Sequence, residues 1–252
     1  MKSRYEAYMD GAALSDIHSD LYVADIQYPQ VSLNNTENVL AMRQGALISN
    51  AYLKEITVTI VFSLFVYNTQ ERNEALREVC RWANGKVLET SDREDQRLMV
   101  QCKSYPAMNA LKWTDQLQMT FSATLLPYWE SKNTVTATVG ANGSKALYVP
   151  GNIPADEYRP QVDVEATLTG SATSVSISTG TDTITLSGLN FAENDVIRVY
   201  HDENLFLHIT LNGTSILDKR TGSNDLRAEC GRNTVSITGP MNAAFTVRGV
   251  WR

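Results

Sequence analysis

Residues 56–66 read Ile-Thr-Val-Thr-Ile-Val-Phe-Ser-Leu-Phe-Val. Apolar and polar residues alternate in the first part of this stretch, as in a β-strand with one buried face. The second part is almost continuously apolar, which is typical of a strand end that is buried on both faces. The stretch is too short to cross a bilayer as a helix. It therefore predicts a β-strand in the core of the first half of the chain.

A helix is predicted directly after this strand. Asn68, with Glu71 three residues further on, fits the start of a helix, and Asn84-Gly85 fits its end. Helical spacing gives this segment an apolar face and a charged face. The apolar face consists of Leu76, Val79, Trp82 and Ala83, and the charged face of Glu74, Arg77, Glu78 and Arg81.

Two further strand groups, residues 97–104 and 117–126, follow the helix. In the second group, apolar residues alternate with polar ones at Leu117, Met119, Phe121 and Ala123. One helix among several strands predicts an α+β domain, in which the helix packs on a mostly antiparallel sheet or barrel.

The second half of the chain shows strand patterns only. Its short strands follow one another at intervals of about 8 to 12 residues, the spacing found in β-sandwiches. The predicted inward-facing residues are Val162, Val164, Ala166, Leu168, Val175, Ile177, Ile184, Leu186, those of the strand 196–200, Leu205, Leu207, Ile209, Leu211, Val235, Ile237, Phe245 and Val247. The fold class is therefore mainly β, with an α+β first domain and an all-β sandwich as the second.

A boundary between the halves is predicted at residues 150–161, where prolines interrupt regular structure twice. Before it, residues 134–139 and 145–149 flank Gly140-Ala141-Asn142-Gly143, which is the pattern of a hairpin. Asn212-Gly213 indicates another hairpin turn. The predicted domains are 1–133, a hairpin and linker at 134–160, and a sandwich at 161–252.

The composition narrows the class of protein. With 43% hydrophobic and 20% charged residues, the chain is typical of a globular protein. Its 22 basic and 28 acidic residues leave a net charge of −6 without any basic run, which argues against a protein that grips nucleic-acid phosphates. The three cysteines lack a C-x-x-C spacing and predict free thiols rather than a zinc site. No apolar targeting or membrane segment is predicted.

Few residues are available for chemistry. The sequence lacks the common hydrolase, metalloprotease and nucleotide-binding motifs, so we predict no catalytic residues, no cofactor and no metal. His201 and His208 flank a predicted hairpin turn that contains Asn204, and these three residues are a candidate sugar-binding site in a groove of the sandwich. The third histidine, His18, lies in a polar stretch and is predicted to be exposed.

Clustered carboxylates at Asp92, Glu94 and Asp95 could in principle serve a glycosidase. Such an enzyme needs one carboxyl with a raised pKa, and the neighbouring Arg93 and Arg97 would lower the pKa instead. A solvated loop is predicted. The tryptophans, at positions 82, 113, 129 and 251, are dispersed and are predicted in the core or at interfaces rather than in a sugar platform.

The first 130 or so residues resemble the N-terminal domain of the distal tail (Dit) proteins of long-tailed siphophages. The order and spacing of five segments carry this resemblance. They are Tyr8-Met9-Asp10-Gly11, Leu21-Tyr22-Val23-Ala24-Asp25-Ile26, Arg43-Gln44-Gly45, Trp82-Ala83-Asn84-Gly85 and the segment from Phe121 to Trp129. The second half resembles the galectin-like C-terminal sandwich of the same proteins in Leu211-Asn212-Gly213-Thr214, the segment from Cys230 to Ile237, and Val250-Trp251-Arg252.

The resemblance implies a non-enzymatic structural protein of the virion tail tip, assembled in the host bacterial cytoplasm. It implies a homo-hexameric ring of N-terminal domains that joins the tail tube protein to a tail-tip or tail-associated protein, with receptor-binding proteins as further partners. DNA would pass through the lumen without specific binding. Candidate interface patches are the charged helix face and the loop from Ser32 to Arg43. A carbohydrate-binding tail adhesin that uses the C-terminal sandwich, and a wall-degrading tail enzyme, are the alternatives.

Overall fold

The computed structural model describes residues 5–28, 33–39, 46–53, 55–106 and 114–252. In these ranges the protein is mainly β with one α-helix, which confirms the predicted fold class. It divides into two compact units, Met1–Trp129 with Arg252, and Glu130–Trp251. No helix in the described ranges is both long and apolar enough to cross a membrane.

The strands of the first unit form one antiparallel arrangement and a separate pair. Seven strands follow one another in the order β3-β6-β9-β8-β7-β1-β2, and β4 pairs with β5. The strands are β1 (Ala7–Met9), β2 (Ala12–Ala13), β3 (Leu21–Gln27), β4 (Leu33–Val39), β5 (Ala46–Leu53), β6 (Thr57–Leu64), β7 (Val87–Thr90), β8 (Gln96–Ser104) and β9 (Thr114–Ala123).

Strand β6 lies between β3 and β9, so both of its edges are paired. Every residue from Ile60 to Leu64 is buried, as expected for a strand covered on both faces. The predicted buried strand end is confirmed. The strand is shorter than predicted, because Phe65 lies beyond it and is 42% exposed.

Helix α1 spans Thr69–Trp82, close to the predicted bounds. The Asn68 side chain accepts a hydrogen bond from the backbone N–H of Gln70 at 2.9 Å, which satisfies one of the free donors at the helix start. On the predicted apolar face, Leu76 and Val79 are buried, whereas Trp82 is only partly buried. The Trp82 ring meets Phe121 of β9 edge-on at 6.1 Å, and this contact holds the helix against the sheet.

Replacing Asn68 with alanine should lower the free energy of unfolding by about 1 kcal/mol, because the helix loses its side-chain cap. Urea denaturation followed by circular dichroism measures this loss. Asn73→Ala, inside the same helix, is the matched control and should be neutral or slightly stabilising, since alanine has the higher helix propensity. Equal effects of the two substitutions would contradict the role of the cap.

The second unit is a sandwich of two sheets, as predicted. Within this unit one sheet has the order β17-β16-β15-β12-β20-β10, and the other has the order β11-β19-β13-β14-β18. The strands are β10 (Trp129–Val139), β11 (Ser144–Val149), β12 (Val162–Leu168), β13 (Ala172–Ser178), β14 (Thr183–Phe191), β15 (Val196–His201), β16 (Leu207–Leu211), β17 (Thr214–Ser215), β18 (Arg220–Gly222), β19 (Gly231–Thr238) and β20 (Met241–Trp251).

One hydrophobic core fills the space between these sheets. Strand β12 shows the reason, since its residues alternate between buried and exposed along its whole length. Most of the predicted inward-facing residues belong to this core. Leu205 does not, because it lies in a turn before β16 with a positive φ of 67°. The likeness of this sandwich to galectins stays a prediction.

The segment 134–160 differs from the predicted hairpin and linker. Strand β10 neighbours β20 in one sheet, whereas β11 pairs with β19 in the other. The chain therefore crosses from sheet to sheet at residues 140–143 instead of folding back on itself. Its apolar residues explain the difference, because Val139 and Val149 are both needed in the core between the sheets.

The hairpin turn at Asn212-Gly213 is confirmed. Leu211 lies opposite Thr214, so the loop has only two residues. Both loop residues have positive φ, 50° and 85°, which is the left-handed conformation that a tight type I′ turn requires.

Part of the predicted loop from Ser32 to Arg43 is a strand, since Leu33–Val39 forms β4 and pairs with β5. This pairing gives its backbone polar groups partners that an open loop would lack. The remaining residues of that loop, the Arg43-Gln44-Gly45 segment and Trp113 lie outside the described residues.

Candidate functional site

The structure separates the two histidines of the predicted sugar site. On the antiparallel pair β15 and β16, Tyr200 lies opposite His208, and His201 lies opposite Leu207. Successive side chains of a strand point to opposite faces, so His201 and His208 lie on opposite faces of the pair. The two histidines of the predicted sugar site therefore do not share one face of the sheet.

The His201 side chain is only 5% exposed and lies between two carboxylates, those of Asp163 (51% exposed) and Asp225 (21% exposed). Its Nδ1 lies 2.8 Å from Oδ1 of Asp163, and its Nε2 lies 2.6 Å from Oδ1 of Asp225. The other oxygen of Asp225 accepts a hydrogen bond from Nε of Arg227 at 2.6 Å. These contacts form a network that ties β12 and β15 to the segment that precedes β19.

Burial by itself would lower the pKa of His201, but the hydrogen bonds to Asp163 and Asp225 outweigh it, and the pKa is raised. For Asp225, burial acts to raise the pKa, and the bonds from His201 and Arg227 bring it far below its ordinary range. The two carboxylates therefore favour the protonated form of His201, and we assign this histidine a structural role.

Asn204 and His208 surround Asp202 in the turn between β15 and β16. The backbone N–H groups of Asn204 and Phe206 both donate to Oδ1 of Asp202 at 2.9 Å, and Nε2 of His208 lies 3.2 Å from Oδ2. The bond from Phe206, with smaller contributions from His208 and Asn204, lowers the pKa of Asp202. The His208 ring stacks on Tyr200 at 5.2 Å between centroids with an interplanar angle of 17°.

A groove with a volume of about 640 Å³ lies on the solvent-facing side of the same sheet. We call it the outer-face groove. The side chains of β12, β15, β16 and β20 that line it are Asp163, Glu165, Arg198, Tyr200, Thr210 and Thr246. The predicted residues His201 and Asn204 are not among the lining residues in the described part of the chain.

Strand register brings the residues of the outer-face groove together from distant parts of the chain. Arg198 lies opposite Glu165 on one side and Thr210 on the other, and Asp163 lies opposite Thr246. The alternating pattern of β12 predicts that Asp163 and Glu165 face outward, as they do. The strand 196–200 is predicted to face inward, but only its alternate residues do, and Arg198 and Tyr200 are exposed. Their cross-strand neighbours could not be read from that pattern.

The charges of the outer-face groove are largely compensated. Nε of Arg198 lies 2.9 Å from Oε2 of Glu165, and Oδ1 of Asp163 lies 2.8 Å from Nδ1 of His201. Tyr200 adds an aromatic ring that is 39% exposed. The groove therefore offers hydrogen-bond donors, acceptors and one aromatic surface with little net charge.

The acidic cluster of residues 92–95 is not a paired-carboxylate site. Asp92, Glu94 and Asp95 are exposed, as predicted. The Arg93 guanidinium lies 4.8 Å from the ring centroids of both Tyr28 and Trp129, which are themselves in edge-on contact. This stretch is stabilised by cation–π packing.

His18 and the three thiols have structural surroundings. His18 is largely buried instead of exposed as predicted, because its Nε2 lies 3.3 Å from Oε1 of Glu71 and its Nδ1 accepts from the N–H of Asp20. Cys80, Cys102 and Cys230 are free and partly buried, and burial raises their pKa, which makes them poor nucleophiles at neutral pH. Among the described residues, no group of three or more His, Cys, Asp and Glu side chains could hold a metal ion.

No protein-family model and no curated protein sequence matches the chain. Among solved structures, the chain is similar to the Dit protein of phage SPP1, described as a paradigm of the hub adsorption apparatus in phages that infect Gram-positive bacteria. The two share 12% sequence identity over 97% of this chain and 98% of that chain, with a TM-score of 0.75.

Two structures of the phage p2 baseplate in its activated conformation are also similar. The structure with Sr shares 8% identity with a TM-score of 0.53, and the structure with Ca shares 9% with a TM-score of 0.50. Both likenesses cover 97% of each chain. These likenesses confirm at the level of fold the resemblance that the sequence predicts. The chain has the fold of phage distal tail and baseplate hub proteins.

Proposed function

We propose that the chain is a structural protein of the tail tip of a long-tailed phage, and that six copies form a ring between the tail tube and the host-recognition tip. The observation that carries this proposal is the likeness to the SPP1 Dit protein over both units, 97% of this chain and 98% of that one. Both units take part in the match, so the proposal concerns the whole described architecture and not one common sandwich.

In this ring the first unit supplies the contacts between copies. A closed ring needs two different complementary patches on each subunit, and a stable contact buries about 1,200–2,000 Å². The charged face of α1 is one candidate patch. A second is the connection between β6 and α1, where Phe65 and Tyr67 are 42% and 80% exposed, because aromatic side chains are enriched at interfaces.

The ring would have a lumen through which DNA passes. Six copies with a net charge of −6 each carry −36, and the sequence has no basic run. A lumen rich in Lys and Arg would bind the phosphate backbone and slow the genome. An acidic wall repels the phosphates within about 8–10 Å at physiological salt, and a neutral wall does not attract them. The proposed lumen is therefore neutral or negative, and a basic lumen would contradict this part of the proposal.

The tail tube protein and a tail-tip or tail-associated protein are the proposed neighbours along the axis, and the second unit is proposed to hold receptor-binding proteins. The site of action is the virion tail tip. The proposed work is assembly, without an enzymatic step.

Size-exclusion chromatography with light scattering should give a mass near six times 28.0 kDa, either for the purified chain or after it is mixed with its tail tube protein. Phe65→Glu should reduce this mass to that of a single chain, because a buried charge without a partner opposes the contact. Tyr148→Glu is the control, since Tyr148 is 64% exposed but lies on β11 of the second unit. A single-chain mass under both conditions would refute the ring.

A further inference from the structure

We propose that the outer-face groove of the second unit binds a neutral saccharide, with Tyr200 as the stacking surface and Glu165, Arg198 and Asp163 as the polar contacts. The proposal goes beyond the ring and does not depend on it. It also replaces the histidine pair as the candidate sugar site, because His201 is buried in its ionic network.

The floor of the groove excludes one class of ligand. Strand β12 is paired on both edges, with β15 and β20, and β15 is paired with β12 and β16. Their backbone N–H and C=O groups already have partners, so an extended peptide cannot add to the sheet here. A ligand in this groove is recognised by side chains.

Tyr200 is a fixed aromatic surface. The His208 ring stacks against it, and Asp202 lies 3.2 Å from Nε2 of that histidine, so these two side chains limit the motion of the tyrosine ring. A pyranose ring has an apolar C–H face and a rim of hydroxyl groups. An exposed aromatic ring can stack on the C–H face while neighbouring polar groups bond to the hydroxyls. Because the motion of the ring is already restricted, little conformational entropy is lost on binding.

The polar side chains match the hydroxyl rim. Glu165 accepts and Arg198 donates through planar two-pronged groups, and each suits a pair of adjacent hydroxyls. Their side chains are 58% and 60% exposed, so they remain accessible although they contact each other. The contact between Nδ1 of His201 and Oδ1 of Asp163 orients the Asp163 carboxylate. This carboxylate is therefore a hydrogen-bond acceptor whose position is set before a ligand binds.

The balance of charge favours a neutral ligand. One arginine faces two carboxylates, so an anionic ligand meets repulsion from Asp163 and Glu165. A cationic ligand would compete with Arg198 for Glu165 and with the imidazole of His201 for Asp163, since these two pairs lie 2.9 and 2.8 Å apart. A neutral ligand with many hydroxyl groups can form hydrogen bonds to these side chains while the Arg198–Glu165 and His201–Asp163 contacts are kept.

Saturation-transfer difference NMR on the full chain tests the proposal. The probes are methyl glycosides and disaccharides of glucose, galactose, rhamnose and N-acetylglucosamine, with glucose 6-phosphate as the anionic probe. At least one neutral probe should bind saturably, with the strongest transfer to the C–H protons of one ring face. Tyr200→Ala should weaken this binding by about tenfold or more, because the stacking surface is lost.

Three further variants separate binding from folding. Tyr148→Ala removes a more exposed tyrosine from the other sheet and should leave binding unchanged. Tyr200→Phe keeps the ring and should retain most of the binding, whereas Arg198→Gln should weaken it. Binding of glucose 6-phosphate alone, the absence of saturable binding to every probe, or unchanged binding by Tyr200→Ala would each overturn the proposal. The mass of the assembly is measured separately, so failure here leaves the ring proposal standing.

Discussion

Replacing Trp129 with alanine should lower the free energy of unfolding of the first unit by about 3–5 kcal/mol, the range for removing a large buried aromatic side chain. Trp129 is 1% exposed, and it contacts the Tyr28 ring edge-on and the Arg93 guanidinium at 4.8 Å. The substitution leaves a cavity and removes both contacts. The loss should therefore lie in the upper part of the range.

Urea denaturation followed by circular dichroism measures this effect. Trp129→Phe is the matched control, because it keeps an aromatic ring beside Arg93 and should lose less than half as much stability. A loss below about 1 kcal/mol for Trp129→Ala would show that the surrounding side chains close the cavity, and it would contradict the assigned role.

The stability of the second unit should fall as the pH rises above about 6.5, the unfolded pKa of histidine. His201 has a raised pKa in the folded protein, so its contribution is fully present below its unfolded pKa of about 6.5. The contribution is lost as the pH rises through the raised folded pKa, because the neutral imidazole no longer pairs with both Asp163 and Asp225. The lowered pKa of Asp225 acts at the acidic end, where stability is lost as that carboxylate takes up a proton.

His201→Gln should abolish the alkaline part of this dependence and cost about 1 kcal/mol near pH 6, because both carboxylates lose a hydrogen-bond partner while remaining partly exposed to water. Thermal unfolding across the pH series measures both effects. His208→Gln is the control, since the side chain of His208 is 44% exposed and lies outside this network. A pH profile that survives in His201→Gln would refute the assignment.

Local patterns predict much of the fold. The apolar run of β6, the Asn68 cap and the alternation along β12 each depend on neighbours within a few residues, and each is confirmed. The hairpin at 134–149 shows the limit of such patterns. Its turn sequence is compatible both with two strands that pair with each other and with two strands in different sheets. The packing of apolar residues between the sheets determines which arrangement forms.

The candidate sites consist of residues that are far apart in the sequence, and local sequence patterns do not reveal which of these residues meet. His201 is 38 residues from Asp163 and 24 from Asp225, so its burial could not be inferred from its own hairpin. The strand 196–200 is predicted to face inward, whereas Arg198 and Tyr200 are exposed. Their grouping with Glu165 depends on the register between β12 and β15, which is set by the fold as a whole.

The first and last strands of the second unit, β10 and β20, are neighbours in one sheet. Near the start of β10, the Ser131 hydroxyl accepts from the N–H of Gly249, close to the end of β20. The two chain ends of this unit thus leave it at the same place. A mechanical load applied between them would peel the strands apart one hydrogen bond at a time, the weakest direction in which a sheet can be pulled. A load applied between another part of this unit's surface and the chain ends would instead have to break many of the hydrogen bonds between strands at the same time.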